Sequence, residues 1–480
     1  MNGCACAFTN DLALRAVFAK QRDALHHEGV PALAKRRADL MKLKAAILVT
    51  RRAFEAAIDA DFGHRPARET AIMELLPTVQ GINYLGKNLA RWMRPRRRHV
   101  AMHLRPGSAK VLYQPLGVVG IMSPWNYPVG LSLMPLATAI AAGNRAMIKP
   151  SEFTPRTTEL IAATMHEIFP ETEVAVISGG PAVGAAFSRL PFDHLLFTGS
   201  TNVGHKVMRA ASDNLVPVTL ELGGKSPAII DQGFSLARAA ASIVFGKLAN
   251  AGQTCIAPDY ALVPEREVAP FVDAFRQKCQ KAYPDGMLDE SYSAIVSERH
   301  YERLQGLIRD ARMKGAEIIE VRESDRQRNP TGQKREHTLA PTMILGATSE
   351  MAVMREEIFG PVLPIISYGK IEDAISYVNA GPRPLALYLF SDRKRVAQQV
   401  LAHTTSGNVT LNDTLLHYVV DDLPFGGVGP SGMGSYHGEE GFRSLSHAKG
   451  VFTQARWNFA GTVRAPFGRM TDRVLGYLLR

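Results

Sequence analysis

The sequence predicts an α/β fold built from two doubly wound, open-sheet domains, and three observations carry that prediction. The chain is 480 residues long, more than one hydrophobic core ordinarily organises. Short apolar runs rich in β-branched residues alternate with helix-length segments from Pro115 onward. A second series of the same kind starts near Ser226. Strands that alternate regularly with helices run parallel, with helices covering both faces of the sheet.

Taken in order, residues 10–60 read as helical: Leu12, Leu14, Val17 and Phe18, then Leu33, Leu40, Leu43, Ile47 and Leu48, recur near the helical period among many Lys and Arg. In the first alternating series the predicted strands are Leu116–Met122, Ala146–Lys149, Glu173–Ser178, His194–Thr198 and Val216–Leu222. Between them, Leu131–Ala142, Pro155–Ile168, Ala182–Arg189 and Asn202–Ala211 read as helices. The second series offers Pro227–Ile230, Tyr260–Val263, Glu317–Glu320, Leu363–Tyr368, Ala386–Phe390 and Asn408–Leu411 as strands, with helices such as Leu236–Leu248 and Arg299–Lys314. The two domains join near Glu221–Lys225, and the polar stretch Arg322–Glu336 reads as a surface loop.

Composition narrows the function classes. At 46% hydrophobic and 21% charged, the chain has the balance of a compact globular protein. No run of roughly 18 apolar residues exists to span a membrane. The N-terminus has no basic region followed by an apolar stretch and cleavage site, so a secretory signal is not expected. Cys4, Cys6, Cys255 and Cys279 are too few and scattered for a disulfide framework, and reduced thiols in a cytoplasmic setting fit better. No His or Cys pair at zinc spacing accompanies Cys4 and Cys6, so no metal site is expected. The net charge of +11 raises nucleic-acid binding as a rival. Its densest cluster, Arg91, Arg94, Arg96, Arg97 and Arg98, lacks aromatic interleaving and any helix-turn-helix or RNA-motif pattern. It reads as a solvated basic face or a segment against a partner subunit, and no nucleic-acid partner is expected.

Six short segments carry the chemistry, each with a plain structural alternative. Asn250-Ala251-Gly252-Gln253-Thr254-Cys255 follows a helix-like run, and Gly252 can break that helix to present Cys255 on a turn. The other reading is a small buried hydrophobe, the usual fate of a free thiol and the one assigned to Cys279. Glu221-Leu222-Gly223-Gly224-Lys225 closes a strand; Glu221 is either a general base toward water or a carboxylate paired with Lys225. In Ser123-Pro124-Trp125-Asn126-Tyr127-Pro128, after a strand, Asn126 offers a neutral amide donor to an oxyanion, or merely holds the turn. Phe197-Thr198-Gly199-Ser200-Thr201 with Gly204 is a strand–turn–helix signal suited to a pyrophosphate, although the three-glycine dinucleotide fingerprint is absent and a plain glycine turn fits too. Lys149-Pro150-Ser151-Glu152 ends a strand, where Lys149 and Glu152 can meet ribose hydroxyls and exclude a 2′-phosphate, or where Ser151 and Glu152 merely start a helix. Glu357-Ile358-Phe359-Gly360-Pro361 sets a carboxylate and an aromatic two apart, toward a ribose and a planar ring or as surface Glu and core Phe.

Together and in this order, these segments resemble the aldehyde dehydrogenase superfamily over nearly the whole chain. Gly252–Tyr260 and Leu423–Gly434, followed by Tyr436-His437-Gly438, are similar to its class 3 branch, and within that branch to bacterial coniferyl aldehyde dehydrogenases. The resemblance implies NAD-dependent oxidation of a hydrophobic aldehyde, aromatic or medium-to-long aliphatic, to its acid, with NADP less favoured. It implies Cys255 as nucleophile, the Asn126 amide and the Cys255 N–H at the oxyanion, and Glu221 activating water. On the cofactor side it implies Lys149 and Glu152 at the adenosine ribose, Gly199 and Ser200 by the pyrophosphate, Glu357 and Phe359 at the nicotinamide end, and Trp125, Ser151, Gly204, Leu222 and Gly223 as further cofactor-binding residues. Trp125, Tyr127 and His417 are expected at the substrate entrance. The family division places residues 1–97 and 114–222 in the cofactor domain, 223–430 in the catalytic domain, and 98–113 with 431–480 in a bridging and terminal part. A β-strand bridge of Arg98–Tyr113 and Val451–Trp457 would pair subunits into a homodimer. Class 3 relatives sometimes carry a long apolar C-terminal anchor. Here Val474, Leu475, Leu478 and Leu479 stand beside Arg469, Arg473 and Arg480, read as a packed terminal helix, with membrane-surface contact as the alternative. Two rivals remain, a cysteine-dependent esterase or acyltransferase and a non-catalytic binding protein on the same scaffold. The first leaves Lys149, Glu152 and Phe359 without a task, and the second predicts loss of nucleophile or base.

Overall fold

The computed structural model describes residues 11–321, 335–458, 460 and 464–479; Cys4, Cys6 and positions 322–334 of the predicted loop lie outside them. Three sheets organise the described chain. In the first, six strands lie in the order Gly432–Met433, Val218–Glu221, His194–Thr198, Val118–Met122, Arg145–Lys149 and Val174–Val176. All run parallel except Gly432–Met433, which pairs antiparallel with Val218–Glu221. The second sheet has seven strands, ordered Glu317–Glu320, Thr342–Leu345, Val362–Tyr368, Tyr260–Pro264, Pro227–Ile230, Ala386–Phe390 and Asn408–Leu411. Only the outer pair, Glu317–Glu320 with Thr342–Leu345, is antiparallel. Two doubly wound sheets are therefore present, as the alternation predicted.

The central strands are continuous apolar runs, not alternating ones, because helices cover both faces. Val118–Met122, Arg145–Lys149, His194–Thr198 and Ala386–Phe390 are buried at every position. Helix Leu33–Phe62 lays Leu40, Leu43, Ile47, Phe54, Ile58 and Phe62, spaced by three, four and seven residues, into the main core. Helix Gly130–Ala142 is buried along its whole length and directly follows the Asn126 turn.

The structure departs from expectation in four places. Strand Thr342–Leu345 was not foreseen. Gly432–Met433 joins a sheet whose other members end more than 200 positions earlier, a pairing that local periodicity cannot reveal. The bridge is a three-stranded antiparallel sheet, Arg96–Arg98, Ser108–Pro115 and Ser446–Thr453. Its last strand begins five residues before the predicted Val451, within a charged, small-residue stretch that carries no strand pattern. Finally, helix Arg469–Leu478 forms, yet Met470, Leu475, Tyr477 and Leu478 are exposed and Thr471 is its one buried residue among those described. Most of its apolar side chains are therefore left uncovered by the described residues.

Candidate active site

The nucleophile loop begins where helix Leu236–Leu248 stops. Asn250, Ala251 and Gly252 then take left-handed backbone angles, with φ of 52°, 50° and 77°. For two non-glycine residues this is strained, and it persists only where surroundings enforce it. They do. Glu69 accepts the Asn250 N–H at 2.7 Å, and Gln253 bonds the Asn250 and Ala294 carbonyls, each at 2.9 Å, while accepting from the Val296 N–H at 3.0 Å. Gly252 is obligatory for a further reason: a side chain there would collide with the Gly360 carbonyl. The outcome is specific. From Gly246 to Pro264 every residue is buried except Cys255. Cys279, by contrast, is buried within helix Val268–Ala282, as its sequence context predicted.

Asn126 is anchored directly to this loop. Its side-chain amide donates to the Gln253 carbonyl at 3.0 Å, and its backbone carbonyl accepts from the Asn250 amide at 2.9 Å. One N–H thus fixes the plane of the amide, and the group carries a second. Glu221 ends its strand in register with Thr198 and Gly432, and its carbonyl takes the Gly199 N–H at 3.0 Å. It is 2% exposed, and neither carboxyl oxygen has a hydrogen-bond partner among the described residues. The rival pairing with Lys225 does not occur. Lys225 instead forms an ion pair with Asp259 and donates to the carbonyls of Val353 at 2.8 Å and Glu356 at 2.9 Å.

Electrostatics follow from this burial. Desolvation first, then the charges of Glu357 and Glu221, push the Cys255 thiol up to about 12. Burial alone raises the Glu221 carboxyl well above the carboxylate range. Burial and Asp259 raise Glu357 to about 8, against the opposing pull of the Gly224 N–H, Lys225 and Arg303. Near neutral pH the thiol and Glu357 therefore hold protons, and the thiol needs a base or a change of surroundings to become nucleophilic.

Residues suited to a dinucleotide line the carboxyl ends of the first sheet. Lys149 donates to Glu152 at 2.9 Å, and Ser151 accepts from the Phe153 N–H at 3.3 Å. Ser200 stands exposed at the head of helix Thr201–Ser212, its carbonyl taking the Val203 and Gly204 N–H groups. Gly204 lets that helix sit on buried Leu222, since a Cβ would meet the leucine methyl at 2.7 Å, and Gly199 leaves room for the Phe197 ring in the same way at 2.6 Å. The Glu357 carboxylate occupies the space a side chain at Gly223 would need. Phe359, another left-handed residue at φ 51°, meets the Trp125 ring edge-on at 5.3 Å. Arg303 holds that loop by donating to the carbonyls of Glu357 at 3.2 Å and Ile358. An exposed helix N-terminus, a Lys–Glu pair at a strand end and a carboxylate pressed on glycine together fit a dinucleotide's phosphates and riboses. Among the described residues no cluster of His, Cys, Asp or Glu is arranged to hold a metal.

Two entrance residues sit deeper than expected. The Tyr127 hydroxyl meets Thr254 Oγ1 at 2.6 Å, and its ring lies under the Arg65 guanidinium at 4.8 Å. His417 is buried, bonded through Nδ1 to Thr410 at 2.7 Å and stacked on Phe425 at 6.0 Å, and burial lowers its pKa to about 4. Sequence reasoning missed Tyr418 and Tyr436, which lie within electrostatic reach of Cys255 and Glu221, and it missed Arg65, Glu69 and Glu74. For the tyrosines a signal existed, since Tyr436 falls inside a recognised motif.

This geometry agrees with comparison to known proteins. The aldehyde dehydrogenase family profile matches residues 11–451. A probable coniferyl aldehyde dehydrogenase of Pseudomonas aeruginosa is 50% identical over 462 residues, covering 96% of this chain and 95% of its own. The substrate-bound structure of Staphylococcus aureus AldH superposes with a TM-score of 0.90 at 36% identity, covering 97% of this chain and 99% of that one. A Mycobacterium tuberculosis aldehyde dehydrogenase complexed with NAD+ gives 0.83 at 28% identity, over 94% and 91%. Fold and sequence thus converge over most of the chain, and the chain belongs to the aldehyde dehydrogenase family.

Proposed function

We propose that this protein oxidises a coniferyl-type aromatic aldehyde to the carboxylic acid with NAD as cofactor. Cys255 is the nucleophile, the Asn126 amide and the Cys255 backbone N–H are the oxyanion donors, and Glu221 is the base toward water. One observation carries the reading: in a long buried stretch the chain leaves only Cys255 accessible, on the loop to which the Asn126 amide is tied. The name of the half-identical Pseudomonas aeruginosa relative supports the aldehyde class.

With its proton released to solvent, the Cys255 sulfur bonds to the aldehyde carbon as the carbonyl π bond opens, and the two N–H donors hold the oxygen that gains charge. A bound NAD would supply the acceptor for the hydride leaving that carbon, and a thioester would then remain on Cys255. Glu221 then accepts a proton from water as the water oxygen adds to the thioester carbon. The carbon–sulfur bond breaks, the acid leaves and the thiolate is restored. An unpaired buried carboxyl suits this task, because no competing partner has to be displaced. Lys149 and Glu152 would hold the adenosine ribose, with Ser151 beside them. The Gly199–Ser200 turn and Gly204 would face the pyrophosphate, and Trp125, Leu222, Gly223, Glu357 and Phe359 would hold the nicotinamide end. A carboxylate at the ribose favours NAD over NADP.

We also propose the division of the chain given above, and a homodimer in which the edge strand Ser446–Thr453, paired on one side only and bearing exposed Phe452, meets a second copy. No described helix is long and apolar enough to cross a membrane. A cytoplasmic place fits reduced thiols, and the exposed apolar side chains of Arg469–Leu478 leave weak membrane-surface contact open to measurement. Mixing the protein, NAD and a panel of aromatic and aliphatic aldehydes while following NADH absorbance tests the assignment. The expected result is turnover with highest kcat/KM for the aromatic class, abolished in Cys255→Ala with NAD binding retained. Ester cleavage without NADH from any aldehyde points to the esterase instead.

A further inference from the structure

We propose that Arg65, flanked by Glu69 and Glu74, is a positioning residue that fixes the oxyanion donor against the nucleophile. The inference rests on the reading of Asn126 and Cys255 above. These three residues lie far from either in sequence, yet their side chains touch both halves of the site. Arg65 Nη1 donates to the Asn126 carbonyl at 2.9 Å and to Glu74 at 2.8 Å. Its guanidinium covers the Tyr127 ring at 4.8 Å and the Phe62 ring at 5.2 Å. Tyr127 in turn meets Thr254, the neighbour of Cys255, at 2.6 Å. The second oxygen of Glu74 accepts the Val129 and Gly130 N–H groups at 2.9 and 3.0 Å, gripping the helix that follows Asn126. Glu69 grips the other half, taking the Asn250 N–H at 2.7 Å and the Ser293 hydroxyl.

The backbone is built for this. A π-helical turn over Ala71–Leu75 interrupts the path from Ala67–Thr70 to Leu76–Trp92, and Glu74 lies on it, buried. Such turns are rare, and many mark functional positions. Stability alone explains the arginine poorly. It is 0% exposed, and its Nε and Nη2 have no hydrogen-bond partner among the described residues. Buried ion pairs often stabilise no better than apolar packing of equal volume. A guanidinium does what neither apolar residues nor lysine can: it spreads its charge over a ring at 4.8 Å while one of its nitrogens bonds both a carbonyl and a carboxylate. Through it the Asn126 turn, the Tyr127 ring and, by way of Thr254, the nucleophile loop share one reference point.

The test uses three full-length variants. Arg65→Met leaves Glu74 buried without its cation and is expected to lower both melting temperature and kcat, the latter about 100-fold. In Arg65→Met with Glu74→Gln both charges are gone, while the carboxamide oxygen still accepts the Val129 and Gly130 N–H groups. Melting temperature is expected to recover toward wild type and kcat to stay about 100-fold low. Arg65→Lys keeps the charge and the fold but not the guanidinium over the Tyr127 ring, so a loss of roughly tenfold in kcat with unchanged NAD affinity is expected. Recovery of kcat in step with melting temperature in the double variant, or wild-type kcat in Arg65→Lys, overturns the proposal. Iodoacetamide alkylation of Cys255 is read in parallel, because it needs neither aldehyde nor cofactor. If the wild type makes no NADH, the functional reading fails. The positioning role then stands or falls on whether alkylation in Arg65→Lys differs from wild type by at least about threefold.

Discussion

Glu74 and Glu221 are sealed from solvent to almost the same degree, at 1% and 2% exposure, and live in opposite circumstances. Burial raises both carboxyls above their ordinary range. At Glu74 that rise is opposed by Arg65 and by the Val129 and Gly130 N–H groups, and every oxygen is engaged. At Glu221 burial is the sole cause and both oxygens are unpaired. The first carboxyl holds structure together. The second holds free energy in reserve, since an unsatisfied buried polar group persists only where something other than stability retains it. Burial alone therefore does not distinguish the two carboxyls; the presence or absence of partners does.

Substitution at the two sites sharpens the contrast. Glu221→Gln is expected to lower steady-state turnover about 10³-fold, while one NADH per active site still forms in a rapid burst, because only thioester hydrolysis needs the base. The same variant should be more stable than wild type. A carboxyl whose folded pKa is raised binds more protons folded than unfolded above about pH 4.5, so wild-type stability falls as pH rises toward the folded pKa. Gln does not titrate, and its advantage should grow by about 1.4 kcal/mol per pH unit across that window, measured by urea unfolding at several pH values. A Gln variant no more stable at pH 8 than wild type would break the comparison. Glu74→Ala should behave in reverse, costing about 3–5 kcal/mol in the same unfolding experiment by stranding Arg65.

Smaller effects test the surroundings. Glu357→Gln should speed iodoacetamide alkylation of Cys255 about three- to tenfold above pH 8, where the wild-type carboxylate is ionised and opposes the thiolate, and should leave it unchanged below pH 7. Glu152→Gln, which loses the charge now paired with Lys149, should raise NADP use relative to NAD by a few-fold in kcat/KM. An unchanged ratio would count against its ribose role.

What the sequence disclosed follows the same division. Cys255, Glu221 and Asn126 stood out as candidates because each sits in a short segment where glycine, proline and strand ends carry local meaning. Strands such as Pro227–Ile230 and Ala386–Phe390 were legible to the residue, since burial on both faces leaves an unbroken apolar run. Arg65, Glu69 and Glu74 were not, because charged residues in a helical stretch look solvated until tertiary contacts 55 to 224 positions away enclose them. The same non-locality hid the pairing of Gly432 with Glu221 and drew His417 inward, where aromatic neighbours from Tyr388 and Phe425 surround it.

Gly252 has one more effect. With no side chain there, its backbone rests directly against the carbonyl of Gly360, one residue beyond Phe359. The segments bearing the sulfur and the aromatic ring therefore touch main chain to main chain, with no rotamer between them to absorb a displacement. They behave like meshed teeth without backlash: a nudge to one loop reaches the other undiminished, so the reacting thiol inherits the mechanical tolerance of the neighbouring loop.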